Sequence, residues 1–392
     1  MLELQFIKKY LGLQEKDHII REECGEKIKF VVSSDTTVQI CPVCGCLTKY
    51  VKGYYIQSIK AGNIGSKPIE ILLKKRRYVC NDCSKTFTEH YAFVAKHHHI
   101  AKNVFVQIMQ DLKSAYSMKN IALSNNVSVN TVQRTLNLMP SSHLTHLPEV
   151  LSIDEFKGNA GGEKYLLQVS DGKNKKILSV LPTRKKLYIS QYFADFPLGE
   201  REKVKYLVID MWRDYADLMI YFPNAKLVID KFHYKRQIHW AMDRIRKNIQ
   251  KPLFRKSRVR IKRLRFLLHK EYDELSIEDK LALTTVLEQN EALHNAWHMK
   301  ERFNDIMQIT DREKAVKSFK EWLNQAEALR IEEFNDCIKA YRHWFSGIVE
   351  SFSVPYTNGF TEGKNNKIKV LKRNAFGFRN FSNFSKRILL IA

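Results

Sequence analysis

Three short apolar runs, each ending in aspartate, constrain the fold of this chain more than any other feature. They read Leu151-Ser-Ile-Asp154, Leu207-Val-Ile-Asp210 and Leu227-Val-Ile-Asp230. Runs of this length that are rich in Val, Ile and Leu predict strands. The pattern therefore predicts three strands that each present a carboxylate at their end. Carboxylate oxygens are the ligands that hard divalent cations prefer.

A basic segment late in the chain, from Asn358 to Arg373, supplies a further acid. Read as a helix entered through Asn358, it places Glu362 on one face with Asn366, Lys369 and Arg373. A lone acid among cations is also typical of a solvated helix face, and the segment alone leaves that alternative open. Together with the three aspartates, it predicts a binding site for divalent metal ions beside a phosphate backbone.

The segments around the aspartates alternate between strand and helix patterns. A three-strand meander is predicted over Val150–Ile153, Lys164–Val169 and Lys176–Leu181, followed by strands at Val204–Ile209 and Ala225–Ile229. This order predicts a mixed sheet flanked by helices.

The stretch from Phe232 to about Glu350 has only helical patterns, which predicts an all-helical insertion. Its most basic part runs from Arg244 to Lys270. Such a charge run faces either solvent or a DNA backbone, and we favour DNA.

Two Cys-x-x-Cys knuckles, Cys41 with Cys44 and Cys80 with Cys83, predict one structural zinc ion. Each knuckle lets two thiolates bind one ion, and two knuckles complete a tetrahedral Zn²⁺ shell. A β-hairpin between the knuckles would close the long intervening loop. Reduced structural cysteines are the alternative, and Cys46 is a neighbour that could replace one ligand. We favour zinc on the four knuckle cysteines.

Residues 117–136 fit a helix-turn-helix. Ile121 and Ala122 would pack the first helix, Val127 would fill the turn and Ser128 would cap the second helix. Any helical hairpin shares this apolar pattern, but the nearby zinc knuckles and the charge favour DNA binding. Gln and Arg suit adenine and guanine edges in the major groove. The residues predicted to contact DNA here are Ser128, Asn130, Thr131, Gln133 and Arg134.

The charge balance points to a polyanionic partner. The 392 residues carry 66 Lys and Arg against 42 Asp and Glu, a formal net charge of +24. Nucleic acid is the first candidate; a membrane surface is the rival, but no run of about 20 apolar residues is present. The N-terminal stretch lacks the features of a signal peptide, so we expect a cytosolic protein. The sequence shows no Gly-rich phosphate loop, so no ATP use is expected.

The order of these parts resembles the DDE transposases of bacterial insertion sequences, and the details resemble the ISL-three family. The resemblance covers nearly the whole chain. The matching stretches are Ser152-Ile-Asp-Glu-Phe-Lys157, Val208-Ile-Asp-Met-Trp212, Phe222-Pro-Asn-Ala225, Val228-Ile-Asp-Lys-Phe-His233, Asn358-Gly-Phe-Thr-Glu-Gly-Lys-Asn-Asn-Lys-Ile-Lys369 and Ala375-Phe-Gly-Phe-Arg-Asn-Phe381.

The resemblance implies a ribonuclease-H-like fold in which Asp154, Asp210 and Glu362 form a catalytic triad that binds two Mg²⁺ or Mn²⁺ ions. It implies metal-dependent DNA strand cleavage at the element ends and strand transfer into target DNA by direct transesterification. Asp230 and His233 match an Asp-x-x-His motif and are expected to support the triad. A structural role is the alternative for His233.

The resemblance also implies the partners and the compartment. They are double-stranded DNA, at terminal inverted repeats and at the target, and a homodimer or higher assembly that synapses two ends. We expect the protein in the bacterial cytoplasm, associated with the nucleoid when it is bound to DNA, without a membrane partner.

The predicted architecture is multidomain, combining α+β and α/β parts. It consists of a zinc ribbon, a helix-turn-helix and a ribonuclease-H-like mixed sheet that an all-helical insertion interrupts. The predicted divisions are a zinc-binding domain at residues 1–100, a helix-turn-helix domain at 101–139, a linker at 140–149, the first part of the catalytic domain at 150–230, the helical insertion at 231–350 and the second part, with the Glu helix, at 351–392.

Two other functions remain alternatives from sequence. A non-catalytic zinc and helix-turn-helix regulator would need only the N-terminal third to bind DNA. A structure-selective ribonuclease-H-like nuclease would keep the acids but cut branched DNA irrespective of sequence. Binding without any nick would favour the first alternative, and cleavage of branched DNA would favour the second.

Overall fold

The computed structural model describes residues 2–140 and 144–392. Residues 141–143 of the predicted linker lie outside the described ranges. The elements before residue 141 are α1 (Leu2–Leu11), β1 (Asp17–Cys24), β2 (Ile28–Ser34), β3 (Gln39–Ile40), β4 (Leu47–Thr48), β5 (Val51–Ile64), β6 (Lys67–Val79), β7 (Thr86–Thr88), α2 (Lys102–Asp111), α3 (Met118–Ser124) and α4 (Val129–Asn137).

The remaining elements begin at residue 150. Short 3₁₀ helices lie at Asp217–Tyr221, Tyr272–Glu274 and Glu332–Phe334. The strands and α-helices are β8 (Val150–Ala160), β9 (Glu163–Asp171), β10 (Lys176–Leu181), α5 (Lys186–Ala194), α6 (Leu198–Arg201), β11 (Tyr206–Ile209), α7 (Arg213–Ala216), β12 (Lys226–Ile229), α8 (Lys231–Gln250), α9 (Arg255–His269), α10 (Ile277–Glu288), α11 (Glu291–Met307), α12 (Arg312–Ala328), α13 (Asn335–His343), α14 (Phe345–Ser353), α15 (Gly359–Asn374) and α16 (Phe381–Ile391).

The described chain forms two compact units. One contains residues 2–140 together with 367–391, and the other contains residues 144–366. The predicted division placed all of 351–392 with the catalytic sheet, whereas the contacts group residues 367–391 with the N-terminal elements.

The first unit contains a five-stranded sheet with the order β1-β2-β6-β5 and with β7 paired to β6. The long strands β5 and β6 form the antiparallel hairpin that the sequence predicted between the two knuckles. Side chains on one face of β2 and β6 alternate into the core, among them Phe30, Val32, Ile69 and Ile71. The apolar stripes of α2, α3 and α4 belong to the same core, because their spacing of three and four residues collects them on one face.

The last helix, α16, completes the first unit. The side chain of Arg387 is fully buried, and its Nη2 donates to the carbonyls of Ser114 at 2.8 Å and Tyr116 at 2.9 Å. Burial lowers the pKa of Arg387 to about 10. Only Nη2 is satisfied in this way, because the buried Nε and Nη1 have no hydrogen-bond partner among the described residues, so the burial of this guanidinium is only partly compensated.

The second unit contains a five-stranded sheet with the order β10-β9-β8-β11-β12. The strands β8, β9 and β10 are antiparallel neighbours, while β8, β11 and β12 are parallel to one another. Strands β11 and β12 have four residues each, and apart from Lys226 and Tyr206 these are aliphatic, as expected for strands that helices cover on both sides. The prediction of a mixed sheet is confirmed.

One predicted strand boundary was wrong. Asp154 lies inside β8 and pairs with Gln168, because β8 and β9 continue as a hairpin to Ala160. The pairing of β8 with β11, however, stops at Ser152. Asp154 therefore lies where the parallel part of the sheet ends, although its own strand continues.

Helices follow β12 without further strands in the described chain up to α14. Their core is aromatic: the ring of Phe303 lies 5.3 Å from that of Trp322 and 5.0 Å from that of Tyr341. No helix in the described ranges is both long enough and apolar enough to span a membrane.

Helix α14 packs closely on β12, the strand that leads to Asp230. A Cβ atom at Gly347 would lie 2.8 Å from Cγ1 of the buried Ile229. This glycine therefore lets the helix approach the strand, and a side chain there would force the two elements apart.

We expect Gly347→Ala to lower the free energy of unfolding by about 1–2 kcal/mol, because overpacking outweighs the better helix propensity of alanine. The matched control is Gly363→Ala in α15, where a Cβ atom meets nothing within 4 Å. That variant should be as stable as the native chain or more stable, by up to about 1 kcal/mol. Urea unfolding measures both, and equal effects of the two substitutions would contradict the close-packing interpretation.

Candidate functional site

The four knuckle cysteines converge in the first unit. Their sulfur atoms all lie within 4.8 Å of one another, with Cys41 Sγ 3.6 Å from Cys83 Sγ and Cys44 Sγ 3.5 Å from Cys80 Sγ. Tetrahedral zinc with Zn–S distances of about 2.3 Å needs sulfur atoms roughly 3.8 Å apart. The arrangement fits a closed structural zinc site, which has no open position for catalysis.

Local backbone geometry explains why each knuckle presents two thiols to one point. The residue after each second cysteine adopts a left-handed conformation, Gly45 at φ +77° and Ser84 at φ +55°. This turn directs backbone N–H groups toward the sulfurs, and the amides of Cys44 and Val43 lower the pKa of Cys41 to about 6. The side-chain contact with Cys80, together with burial, raises the pKa of Cys44 to about 11, so all four thiols would ionise together only with a cation bound between them.

The other cysteines lie outside this group. Cys46 Sγ lies 4.0 Å from the carbonyl of Cys44 and is not one of the four converging sulfurs. Cys24 is exposed and Cys337 is buried.

The carboxylate site lies in the second unit, at the carboxyl ends of the parallel strands. Asp210 follows β11 and Asp230 follows β12. Burial and the nearby charge of Asp154 raise the pKa of Asp210 to about 7. Burial raises the pKa of Asp230 to about 6, with Asp154 again adding to the shift. The three predicted aspartates therefore lie at one edge of the sheet, near enough for the charge of Asp154 to act on the other two, although no three acids of the described residues lie within 4.8 Å of one another.

The two oxygens of Asp154 and the inner oxygen of Asp210 have different surroundings. Asp154 Oδ1 accepts from the amide of Glu155 at 2.9 Å. Its Oδ2 accepts from two side chains of α15, Thr361 and Asn365. Asp210 Oδ1 is fully buried and has no hydrogen-bond donor within the described residues. A buried carboxylate oxygen without a donor is costly, and a bound cation would satisfy it.

The first turn of α15 is hydrogen-bonded directly to this site. The amide of Asn358 donates to Asp230 Oδ1 at 3.0 Å, and its side-chain amide donates to the carbonyl of Ile153 at 3.1 Å. Thr361 Oγ1 lies 2.7 Å from Asp154 Oδ2 and 2.6 Å from the carbonyl of Asn358, so its one hydroxyl proton is shared between these two acceptors. Asn365 Nδ2 donates to Asp154 Oδ2 at 3.1 Å. Thr361 and Asn365 are one helical turn apart, so a single face of α15 covers Asp154.

Glu362 follows Thr361 on α15 and is exposed. Successive helical residues point about 100° apart, so its side chain starts beside the face that covers Asp154. Within the described residues, the four cysteines are the only group of three or more potential ligands within 4.8 Å of one another. The structure thus places the helix of Glu362 at the site, but it does not bring the three aspartates, or Glu362 with any two of them, within 4.8 Å of one another.

Sequence reasoning missed several residues around the aspartates. Glu155 accepts from Arg184 Nη1 at 2.6 Å and from the hydroxyl of Tyr215 at 3.2 Å. The guanidinium of Arg184 lies over the rings of Tyr165 at 4.4 Å and Trp212 at 5.0 Å. These residues are scattered over five elements and loops, and no spacing in the sequence reveals the network. The sequence also did not predict that Asn358, Thr361 and Asn365 donate hydrogen bonds at the aspartate site, although all three lie in the basic segment from Asn358 to Arg373.

His233 lies on the first turn of α8, near Asp230. Its Nδ1 contacts Arg236 Nη2 at 3.1 Å, and its Nε2 lies 3.8 Å from Asp230 Oδ2. Because a guanidinium only donates, Nδ1 is the acceptor and the proton is on Nε2, facing Asp230. Burial, with the nearby charge of Arg236, lowers the pKa of His233 to about 4, so the ring is neutral at pH 7.

The residues predicted to contact DNA at α4 differ in their exposure and in the hydrogen bonds that they already make. Ser128 caps the helix as predicted, with its Oγ accepting from the amide of Thr131 at 3.2 Å. Asn130 and Arg134 are exposed. Gln133 is partly buried, and its side-chain amide donates to Asn137 at 3.0 Å and to Asn383 of α16 at 2.9 Å. Base reading by Gln133 would therefore first require that these bonds break.

The three other predicted DNA contacts, Asn366, Lys369 and Arg373, are all exposed on α15. The opposite face carries Ile368 and Leu371, both buried. The helix therefore has a polar face and an apolar face.

Comparison with protein families matches two parts of the chain. A family profile of the ISL3 transposases, described as "Transposase", matches residues 151–388. A second profile, described as "zinc-finger of transposase IS204/IS1001/IS1096/IS1165", matches residues 37–83. The second match contains all four converging cysteines, so the predicted zinc ribbon is confirmed.

Among the individual relatives, two transposases agree with the profiles and a third, shorter match carries a different name. The chain is 24% identical over 379 residues to the "Transposase for insertion sequence element IS1001" of Bordetella parapertussis, covering 94% of this chain and 92% of that one. It is 25% identical over 141 residues to the "Transposase for insertion sequence element IS1557" of Mycobacterium tuberculosis, 36% of this chain and 32% of the relative. A shorter match, 38% over 79 residues, joins 20% of this chain to 25% of an "ATP-dependent protease" of Lactococcus lactis.

We expect purified protein to carry about one zinc ion per chain, and Cys41→Ser to lose it, because three thiolates do not close the tetrahedral shell. Cys46→Ser is the matched control and should retain the metal. Elemental analysis of folded protein measures both. Zinc lost equally from both variants would show that Cys46 is a ligand.

We expect Asp210→Asn to stabilise the metal-free protein and to do so more as pH rises from about 4 to 7. The folded-state pKa of Asp210, about 7, lies above the ordinary value of 3.8. In this window the folded chain therefore holds a proton that the unfolded chain has released, and native stability falls as pH rises. Asparagine binds no such proton. Thermal melting in a chelator at several pH values measures the difference.

The control for this substitution is Asp305→Asn, at an exposed position on α11. Its effect on the melting temperature should be small and constant across the same pH range, because exposed charges contribute little to stability. A constant effect of Asp210→Asn would contradict the assignment of a buried, proton-holding carboxyl.

Proposed function

Because the chain belongs to the ISL3 family of insertion-sequence transposases, we propose that it cleaves DNA strands at the ends of its element and joins them to target DNA by direct transesterification. In this reaction water first releases a 3′-OH at the element end. That 3′-OH then attacks a phosphodiester of the target, so neither a covalent enzyme intermediate nor ATP is required.

One observation carries the proposal: Asp154, Asp210 and Asp230 lie at the same edge of the sheet, where the pairing of the parallel strands ends, beneath the first turn of α15. The strand order β10-β9-β8-β11-β12, with an antiparallel meander beside parallel strands, is the arrangement expected of a ribonuclease-H-like fold. In that fold the first and fourth strands are neighbours, and here β8 pairs with β11. This supports Asp154 and Asp210 as the first two acids of a catalytic triad.

Glu362 is the proposed third acid. Its neighbour Thr361 contacts Asp154, so a change of the Glu362 side-chain rotamer can direct its carboxylate toward the aspartates. Metal binding would favour that rotamer, because it relieves the repulsion between the acids. Asp230 and His233 act as supporting groups in this scheme: Asp230 fixes the start of α15 and His233 orients Arg236.

The carboxylates fit Mg²⁺ or Mn²⁺, since the donors are hard oxygens and one buried oxygen has no other partner. Bound there, two such ions would activate the attacking oxygen and stabilise the leaving oxygen. The chain's own residues hold the acids in place. Thr361 and Asn365 fix the orientation of Asp154, and the network of Glu155, Arg184 and Tyr215 packs beside it.

DNA recognition is proposed for the first unit. The helices α3 and α4 would act as a helix-turn-helix that reads the terminal inverted repeats through Ser128, Asn130, Thr131, Gln133 and Arg134. The zinc ion would stabilise the ribbon without taking part in the chemistry. Asn366, Lys369 and Arg373 of α15 would hold DNA phosphates. A homodimer or larger assembly would bring two element ends together, on the bacterial nucleoid.

We expect Asp154→Ala, Asp210→Ala and Glu362→Ala each to lower Mg²⁺-dependent cleavage of element-end DNA by at least about a thousandfold, because the acids act as one unit. Binding of the same DNA should be unchanged, since the proposed recognition helices lie in the other unit. Gel assays of nicking and of mobility shift measure the two properties separately.

The control is Glu321→Ala, at an exposed position on α12, which should cleave normally. Undiminished cleavage by any triad variant would remove that residue from the catalytic assignment. Native protein that binds element ends but never nicks them with Mn²⁺ would favour a regulator. Cleavage of branched DNA irrespective of sequence would favour a structure-selective nuclease.

A further inference from the structure

The helix α9 has a surface unlike those of its neighbours. Its inner stripe, Ile261, Leu264 and Leu268, is buried in the main core of the second unit. The segment from residue 251 to 270 contains nine Lys or Arg residues and no Asp or Glu. The exposed cations on α9 are Arg255, Lys256, Arg258, Lys262, Arg263 and Arg265. We propose that this outer face is a second DNA-binding surface, which holds the sugar-phosphate backbone of a duplex independently of sequence.

Almost none of this charge is compensated within the second unit. Among the described Lys and Arg side chains of α9, only that of Arg265 has a carboxylate within 4.0 Å. This carboxylate is that of Asp243, at 3.9 Å. That carboxylate already pairs with Arg246 at 2.7 Å and with Lys247 at 2.9 Å. Like charges three and four residues apart destabilise a helix. A bound polyanion would relieve this repulsion between the cations of the α9 face.

A solvated charged face is the plain alternative, and α12 shows what such a face looks like in this protein. Its exposed cations Lys314, Lys317 and Lys320 alternate with acids such as Glu313 and Glu321. Mixed signs are typical of a helix that faces only water. The single sign on α9 is instead typical of a surface that contacts phosphates.

The position of α9 fits DNA that leaves the carboxylate site. The ring of His269 stacks on that of His239 at 4.3 Å, and Lys235 pairs with Glu271 at 3.5 Å. These contacts show that α9 runs antiparallel to α8, and α8 starts directly after Asp230. At 1.5 Å per residue, the cations from Arg265 to Arg255 lie about 20–35 Å from that start along the helix axis, or roughly 6–10 base pairs of duplex.

A membrane surface is the other polyanion to consider, because Phe254, Val259 and Phe266 are exposed. A helix that lies on a membrane needs a continuous apolar face. The continuous apolar face of α9 is already buried in the core, and the exposed apolar residues are interrupted by cations. The face therefore favours DNA. The inference rests on the proposed function in one respect: DNA is taken to be the polyanion that binds to the second unit.

The test uses the full chain, a random-sequence duplex and no divalent metal, so that no cleavage step is involved. The variant replaces three exposed cations together, by Arg255→Gln, Arg258→Gln and Lys262→Gln. Each lost phosphate contact should reduce the slope of log K against log salt by about 0.9, so the triple variant should lose about 2.7. Its affinity near 0.1 M salt should fall at least about tenfold. Lys262→Gln alone should lose about 0.9 of slope.

The matched control removes the same charge from α12, by Lys314→Gln, Lys317→Gln and Lys320→Gln. This variant should keep the native slope. The α9 variant should melt at or above the native temperature, because it loses like-charge repulsion. The α12 variant should melt close to the native temperature, because Lys317 lies four residues from Glu313 and Glu321 and such helix pairs contribute little to stability. An equal loss of slope in both variants would overturn the proposal in favour of a net-charge effect. An unchanged slope in the α9 variant, or loss of binding only to vesicles of anionic phospholipid, would also overturn it.

The outcome does not depend on the catalytic assignment. Asp154→Ala should bind the random duplex with the native slope whether or not Asp154 is catalytic. A failure of the triad assay together with a reduced slope in the α9 variant would leave the surface established and the reaction in doubt. The reverse pattern would leave the reaction established and exclude the surface.

Discussion

Two hydrogen bonds from one residue, Asn358, join two strands that are not neighbours in the sheet. Its backbone amide donates to Asp230 after β12, and its side chain donates to the carbonyl of Ile153 in β8. The side chain is 4% exposed, so water does not compete for these bonds. They fix the start of α15 above β11, and only from that position can Thr361 and Asn365 reach Asp154. The arrangement of the whole acidic site thus depends on a neutral amide.

The acids beneath this helix are unevenly satisfied. Asp154 receives three donors, whereas the inner oxygen of Asp210 receives none from the described residues. Burial then raises the pKa of both Asp210 and Asp230 toward neutrality. Such a site is neutralised either by protons or by cations, and the two compete. Stability is therefore sacrificed where the proposed chemistry needs negative charge, as is common at functional sites.

Elements whose conformation is determined by neighbouring residues could be predicted from the sequence. Short apolar runs before Asp210 and Asp230, and two cysteine knuckles, predict their strands and turns because neighbouring residues decide them. Thr361 and Asn365 could not be found in this way, since polar residues one turn apart on a helix normally face water. The same holds for Gln133, whose partner Asn383 lies 250 residues further along the chain. The end of β8 was misjudged because its pairing with β9 outlasts its pairing with β11.

The composition of the first unit has a consequence for biosynthesis. Residues 367–391, including the buried Arg387, are translated only after all of residues 144–366 of the second unit have been synthesised. Domains usually fold in the order in which they emerge, but this unit lacks α16 until the end. A nascent or prematurely terminated product therefore exposes the carbonyls of Ser114 and Tyr116 and leaves Gln133 without Asn383. Only polypeptides that are translated through α16 can assemble the complete unit.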